Sequence, residues 1–288
     1  MLAACTIWGL SAIYYKLLVH VPPLEVLAHR TLWSCVFFAA ILGVQGRLGM
    51  IRAALSGPRD LALLAFAALM ISANWLCFIS SVQWGRAMEA SLGYYMFPLV
   101  SVLFGALFFR EMLGRVQLTA VALAGLAVTI LTIGLGAAPW MALLIACTFG
   151  LYGVAKKMLT VGPVVSVTAE VLLLAPVALG ILYYVHSTGD GHFTENTRDA
   201  LLLAGSGPLT ATPLILFSYA AKRVRFGTVG LVQYLNPTLQ FLVATFIFQE
   251  FFSPWHAIAL PLIWVALALY TGVSLRQERA ARKSRIKV

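Results

Sequence analysis

Several ionisable side chains lie inside long apolar runs of this chain, where little water can hydrate them. Glu25, His29 and Arg30 lie near one end of such a run, and Glu25 and His29 are four residues apart. That spacing places both side chains on one face of a helix. A carboxylate beside an imidazole would exchange a proton near neutral pH. The alternative is a structural cluster at the membrane interface, with Arg30 extending to the lipid headgroups.

Two further carboxylates lie one or two turns inside apolar runs. Glu89 is three residues from Arg86, which favours an ion pair along one helix. The other interpretation of Glu89 is a gating carboxylate. Glu170 lies in a later run. Because charged side chains are costly in a bilayer, they usually face a cavity or a partner. The candidate coupling or gating residues are therefore Glu25, His29, Arg30, Glu89 and Glu170.

A second group of side chains is aromatic or carries an amide and surrounds two prolines. Pro98 and Pro237 each fall in the middle of an apolar run, where proline removes one helical hydrogen bond. We expect a helix break at each, beside a binding site, because free backbone groups at membrane depth need protein or a wet cavity. The alternatives are helix bending and helix packing. The candidate substrate-binding residues are Trp8, Asn74, Trp75, Tyr94, Tyr95, Gln233, Tyr234 and Asn236.

The sequence offers no catalytic, metal or cofactor site. The five histidines are scattered, and neither a Ser/His/Asp set nor a phosphate-binding loop is recognisable. The cysteines lie inside apolar runs without metal-ligand spacing, at Cys5, Cys35, Cys77 and Cys147. We therefore predict that the protein is not an enzyme and needs no cofactor.

The elements that must position these residues are membrane-spanning helices. The chain has 288 residues, 61% hydrophobic and 10% charged, whereas soluble domains carry roughly 25% charged residues. Apolar runs of about 20 residues match a hydrocarbon core of about 30 Å, and the strict alternation of a barrel strand is absent. We predict an all-α membrane protein with ten spans, at residues 2–18, 25–45, 60–82, 87–109, 116–135, 139–159, 164–184, 199–221, 226–248 and 254–274.

Lysine and arginine are unevenly distributed between the two ends of these spans. Sixteen of the 20 lie on the same side as the C-terminal tail. Since cytoplasmic connections are enriched in basic residues, we expect both termini in the cytoplasm. This topology, not nucleic-acid binding, explains the net charge of +10. We expect the basic tail to meet anionic lipid headgroups.

The two halves of the sequence resemble each other. Trp8 and Pro22 recur as Phe149 and Pro163, each pair 141 residues apart. At a spacing of 139, Arg86, Tyr95, Pro98 and Glu111 recur as Arg225, Tyr234, Pro237 and Glu250. Five spans in each half would invert the second copy, which is a common plan of secondary transporters. We predict two five-helix repeats, residues 1–137 and 138–275, followed by a cytoplasmic tail, residues 276–288.

A set of short motifs is spread over nearly the whole chain. The motifs are Ile7-Trp8-Gly9-Leu10, Tyr14-Tyr15-Lys16, Pro22, Glu25, His29-Arg30, Trp33-Ser34, Asn74-Trp75, the run from Glu89 to Tyr95, Pro98, Gln233-Tyr234 and Pro237-Thr238. In these residues the chain resembles the RarD-type proteins of the EamA branch of the drug/metabolite transporter superfamily. The resemblance implies ten helices in two EamA-like units, a bacterial inner membrane and permease activity.

These patterns favour a secondary transporter that moves a small metabolite or drug-like molecule across the bacterial inner membrane by alternating access. Proton coupling is a hypothesis, and the absence of a Walker-type loop argues against an ATP-driven pump. The expected partners are a small-molecule substrate and membrane lipids but no nucleic acid, with the chain as a monomer or homodimer. The alternative is a membrane-embedded enzyme or a structural membrane protein without transport activity.

Overall fold

A computed structural model describes residues 1–110, 112, 114–136, 139–221 and 232–286. These residues form α-helices joined by short connections, and the described ranges contain no strand. A 3₁₀ turn, His192–Thr194, precedes α9, and a π-helical turn, Val243–Ile247, follows α10. The helices are α1 Leu2–Lys16, α2 Pro23–Val44, α3 Gly49–Ser56, α4 Pro58–Gln83, α5 Ala87–Phe109, α6 Arg115–Leu135, α7 Trp140–Met158, α8 Pro163–Ser187, α9 Thr197–Ala221, α10 Leu235–Leu242 and α11 Pro254–Ile286.

Eight of the described helices are long and apolar enough to cross a membrane, namely α2, α4, α5, α6, α7, α8, α9 and α11. Each corresponds to one predicted span, which confirms an all-helical, multi-span protein. The helix at the first predicted span has 15 residues, about 22 Å at 1.5 Å per residue. The ninth predicted span contains α10 and the π-helical turn, and residues 226–231 lie outside the described residues.

Proline residues mark where four of the spanning helices begin. Pro23, Pro58, Pro163 and Pro254 are the first residues of α2, α4, α8 and α11. Proline suits this position because the N–H that it lacks would have no partner inside the helix. The same residue type therefore has a different consequence at these positions than in the middle of a helix.

The strongest helix packing in the described structure is between the two halves of the sequence. The strongest helix pairs combine one helix from each half: α5 with α7, α6 with α11, α2 with α8 and with α9, α4 with α7, and α1 with α10. Between α5 and α7, a Cβ atom on Gly93 would lie 2.7 Å from the carbonyl oxygen of Ala142. Between α1 and α10, a Cβ atom on Gly9 would lie 2.6 Å from the Cβ atom of Leu239. Glycine permits these close approaches, which are typical of helix pairs in membranes.

The structure corrects the predicted helix breaks. α5 continues through Pro98 as one helix from Ala87 to Phe109, so the predicted break there is wrong. A single proline costs one hydrogen bond, and membrane helices tolerate it where neighbouring protein surrounds them. In the second half, a turn at Tyr234 precedes α10, and Pro237 lies in the first turn of the new helix. There its missing N–H is harmless.

Candidate functional site

One buried amide connects three helices near the middle of the bundle. Asn74 of α4 is 1% exposed. Its Nδ2 donates to the carbonyl oxygen of Ile145 at 2.9 Å and to Thr148 Oγ1 at 3.2 Å, both on α7. Its Oδ1 accepts a hydrogen bond from the Tyr94 hydroxyl of α5 at 2.9 Å. Both ends of the amide are therefore used, which satisfies the requirement that a buried polar group has partners.

Aromatic rings extend from this amide toward α1. The Tyr94 ring meets Phe149 and Phe78 edge to face, with centroids 5.9 and 6.0 Å apart. Phe78 in turn meets Tyr15 edge to face at 6.0 Å. Such contacts favour a rigid arrangement because aromatic rings prefer a few relative orientations. The rings form a continuous wall between Asn74 and the end of α1.

At the end of this wall lies the buried guanidinium of Arg30. Its Cζ is 4.3 Å from the centroid of the Trp75 ring and 5.4 Å from that of Tyr15. Arg30 is 6% exposed, and its Nε has no hydrogen-bond partner. The interpretation of Arg30 as a side chain that extends to the headgroups is therefore wrong. Its cationic group is held by aromatic rings inside the protein.

Glu25 does bind a histidine, but not His29. Its Oε1 accepts the backbone N–H of His192 at 2.9 Å, and its Oε2 lies 2.9 Å from His192 Nδ1. His29 instead stacks on Phe193 at a centroid distance of 4.6 Å, with its Nε2 unpartnered. Beside this pair, His20 Nε2 lies 2.7 Å from Asp199 Oδ2. The side of the bundle that holds these two pairs is called the Glu25 end below.

The helix α5 begins at the same end, and Glu250 from the other half caps it. The two oxygens of Glu250 accept the backbone N–H groups of Ala87 and Met88 at 2.7 and 2.8 Å. Next to this cap, the expected ion pair between Arg86 and Glu89 is present, with 2.9 Å between Nη2 and Oε1. The carboxylate of Glu250 also interacts favourably with the positive end of the α5 helix dipole. Glu250 was not among the predicted site residues.

Glu170 lies in a buried network near the start of α8. Its Oε1 lies 2.6 Å from Lys156 Nζ and accepts the Ser166 hydroxyl at 2.7 Å. The Tyr152 hydroxyl donates to Oε2 at 3.2 Å. Lys156 also donates to Ser166. Lys156, the counter-charge of Glu170, was not among the predicted site residues.

The remaining predicted binding residues lie apart from the Asn74 cluster. The Tyr95 hydroxyl is 2.7 Å from Thr238 Oγ1, and Thr271 Oγ1 donates to the Tyr234 hydroxyl at 3.5 Å. Both tyrosines thus belong to a second region, between α5, α10 and α11. Trp8 meets Phe217 at 5.8 Å, Asn236 Oδ1 accepts Gln240 Nε2 at 3.0 Å, and Gln233 is half-buried beside the turn before α10.

These observations define a class of protein. Many apolar helices enclose a cluster of amide, aromatic and cationic side chains where both halves of the chain meet: Asn74 and Arg30 are buried, and Trp75 and Tyr94 are half-buried. Polar and charged side chains inside a membrane protein are typical of substrate or ion pathways. Within the described residues, no group of three His, Cys, Asp or Glu side chains is placed to hold a metal ion. The arrangement is that of a multi-pass membrane protein with a polar centre.

Comparison with known proteins gives the family. The model of the EamA-like transporter family matches residues 1–133 and again residues 137–272. The chain therefore belongs to the EamA-like transporter family, and it is a multi-pass membrane transporter.

Relatives narrow this assignment. The chain is 40% identical to the uncharacterized transporter YojE of Bacillus subtilis, over 96% of this chain and 93% of that protein. It is 41% identical to Protein RarD of Streptomyces exfoliatus, over 96% and 88% of the two chains. It is 34% identical to Protein RarD of Escherichia coli, over 98% and 96%. The resemblance to RarD-type permeases is thus confirmed. A solved chain titled "Crystal structure of protein" shares the fold, with a TM-score of 0.62 at 20% identity over 96% of both chains.

Proposed function

We propose that the protein is a secondary transporter that moves a small metabolite or drug-like molecule across the bacterial inner membrane by alternating access. The observation that carries this proposal is the cluster of the buried Arg30 and Asn74 with the half-buried Trp75 and Tyr94. It lies on α2, α4 and α5, all of which pack against helices of the second half. A site between two halves that can move against each other is accessible from either side in turn.

The pattern of helix packing supports two inverted repeats. If the repeats correspond, α1 and α5 of the first half match α7 and α10 of the second, while α2 and α4 match α8 and α9. The pair α1–α10 then has the counterpart α7–α5, and α2–α9 has the counterpart α8–α4. The pairs α2–α8, α5–α10 and α6–α11 each join a helix to its own counterpart, so exchanging the two repeats leaves these pairs unchanged. Such reciprocity is expected for a two-fold axis in the membrane plane, with ten spans in total.

The Glu25 end is the proposed outer gate. In this conformation it is held together by the Glu25–His192 and His20–Asp199 pairs. Gln83 Nε2 adds hydrogen bonds to the carbonyl oxygens of Leu18 and Val21 at 2.8 and 3.1 Å. Opening this end requires that these contacts break. With both termini in the cytoplasm, as the distribution of basic residues predicts, this end faces outward.

Glu170 is the proposed site of proton coupling. Its carboxylate is buried against Lys156, so neutralising it changes the balance of charge inside the membrane. We expect Glu170→Gln in proteoliposomes to abolish stimulation of transport by an imposed pH gradient while leaving exchange of labelled for unlabelled substrate intact. Glu195→Gln, in an exposed connection, is the control. A full response to the gradient in Glu170→Gln would refute coupling at this residue.

The proposed function is tested on the purified full-length protein. Ligands from a library of metabolites and drugs are first identified by thermal shift, and counterflow of each hit is then measured in proteoliposomes. Asn74→Leu should reduce counterflow at least tenfold because it removes the amide from the cluster. Thr129→Val is the matched control, since its hydroxyl is exposed and bonds only to Gly125 of its own helix. If no hit is transported, or if Asn74→Leu transports every hit like the wild type, the proposal fails.

A further inference from the structure

We propose that Arg30 binds the carboxylate of the transported substrate, which is a small organic monoanion with an aromatic or apolar body. This inference rests on the proposed function and names its substrate class. The binding element is the Arg30 cage, formed by Arg30 and the rings of Tyr15 and Trp75. A guanidinium in this setting remains protonated, so a positive charge stays inside the protein.

No carboxylate among the described residues neutralises this charge. The buried or half-buried acids near the spans all have other partners: Glu25 binds His192, Glu89 binds Arg86, Glu170 binds Lys156, Asp199 binds His20, and Glu250 caps α5. Asp190 and Glu195 are exposed in the connection before α9, and Asp60 lies at the other end of α4 from Trp75. A buried cation without a counter-ion is costly, and a bound anion removes that cost.

The aromatic rings do not complete the coordination of Arg30. Cation–π contacts satisfy the charge through the ring faces, whereas the guanidinium also carries five N–H donors that point outward in its plane. The Nε donor is buried without an acceptor. A carboxylate fits this edge with two parallel hydrogen bonds, which a single hydroxyl or carbonyl group cannot do. The geometry therefore favours a planar, charged acceptor.

The number of charges indicates a monoanion. Of the other cations in nearby helices, Lys16 lies over the Phe248 ring and Lys156 is paired with Glu170. Arg30 therefore offers one positive charge, which one carboxylate balances, whereas a phosphate dianion would leave negative charge in the membrane. The wall of Tyr15, Phe78 and Tyr94 leads from the cage to Asn74 and suits an aromatic or apolar body.

The inference is tested with pairs of probes that differ in charge but hardly in shape. Binding of indole-3-acetate, phenylacetate and octanoate to the full-length protein is measured by thermal shift and calorimetry, each beside its uncharged amide. At least one acid should bind at least tenfold more tightly than its amide. Phenyl phosphate should bind more weakly than phenylacetate. If no acid binds, or if each acid and its amide bind equally, the inference is overturned; tighter binding of the phosphate overturns the monoanion part.

Variants then assign the effect to Arg30. Arg30→Gln should abolish the preference for acid over amide, and Arg30→Lys should retain a reduced preference because lysine keeps the charge but lacks the planar pair of donors. Arg52→Gln, which removes an exposed charge from α3, should change nothing. The ratio of acid to amide affinity reports on charge recognition, because a purely structural Arg30 would lower both affinities together. An unchanged ratio in folded Arg30→Gln would refute the assignment.

The two proposals fail in distinguishable ways. If counterflow occurs only with neutral or cationic solutes, the protein is a transporter and the substrate class is wrong. If the acids bind through Arg30 but no solute is carried across the vesicle membrane, the anion site stands and the transport function is wrong.

Discussion

Asn74 holds α4, α5 and α7 together through one amide group, so its energetic contribution can be measured at a single position. Asn74→Leu and Tyr94→Phe each remove the hydrogen bond between the two side chains. We expect Tyr94→Phe to lower the free energy of unfolding by about 1 kcal/mol and Asn74→Leu by more, since Asn74 also bonds Ile145 and Thr148. The coupling energy should be about 0.6–1 kcal/mol, because interhelical hydrogen bonds in membranes are modest. A double-mutant cycle from denaturant unfolding in detergent measures this coupling. Independent effects would show that the bond contributes little.

The sequence predicts buried polar residues better than it predicts their partners. Asn74, Trp75, Tyr94 and Arg30 stand out because they interrupt apolar runs, and the structure brings them together. Spacing along one helix suggested His29 as the partner of Glu25, but the partner is His192, 167 residues away. Helix periodicity reports only on neighbours within a few turns, so contacts with a connection that is distant in the sequence leave no local signal.

At the scale of elements, the cap on α5 is a contact between the two halves. Glu250→Ala removes the acceptor of the Ala87 and Met88 N–H groups. We expect a loss of about 0.5–2 kcal/mol of stability, as for other helix caps. Glu250→Gln should lose less, because one oxygen remains as an acceptor. Thermal unfolding in detergent, followed by circular dichroism, compares the variants. If Glu250→Ala unfolds at the wild-type temperature, the cap contributes nothing to stability.

Two glycines in spanning helices should respond in opposite ways to alanine. At Gly93, the new Cβ atom would lie 2.7 Å from the Ala142 carbonyl oxygen and 2.9 Å from the Ile145 Cβ atom. The crowding should cost about 1–3 kcal/mol. At Gly125, no atom lies within 4 Å of the new Cβ atom, so alanine should stabilise α6 by up to about 1 kcal/mol. Unfolding temperatures of the two variants test this contrast, and equal shifts would contradict it.

Hydropathy predicts the long helices well and the irregular elements poorly. Eight predicted spans match helices because each needs only a continuous apolar run. The short helix α3 and the π-helical turn before Phe248 were not predicted, and the break expected at Pro237 falls slightly earlier, at Tyr234. The π-helical turn is followed by Gln249 with a positive φ of 53°, which directs the chain toward the Glu250 cap. Such features arise from tertiary contacts that a hydropathy pattern does not contain.

At the scale of the whole molecule, neither half should be stable alone, because the strongest helix pairs join the two halves. We expect residues 1–137 and 138–288, expressed together as separate chains, to purify as a complex through a tag on either one. Each expressed alone should lack a cooperative unfolding transition. Two differently tagged copies of residues 1–137 provide the control for unspecific association. A cooperative transition in either isolated half would contradict the expectation.

The repeat in the sequence predicts which helices correspond, but not which helices touch. The repeated spacing that pairs Tyr95 with Tyr234 relates α5 to α10. It does not predict that α5 packs on α7 and α10 on α1, the first helix of the other half in each case. That arrangement depends on the complete set of helices, since each buries its small residues against whichever surface matches them. The sequence therefore predicted an all-helical protein with many spans and its family, while the centre of the site required the three-dimensional structure.

The pairing of α1 with α9 and α10 has a consequence for biosynthesis. Translation produces α1 long before its main partners α9 and α10, which lie far along the chain in the second half. During this interval the polar face of α1, with Ser11, Tyr14 and Lys16, has none of its final neighbours from the second half. During this interval α1 must therefore remain beside the insertion machinery or in lipid. A chain whose synthesis stops early contains an α1 that cannot finish folding.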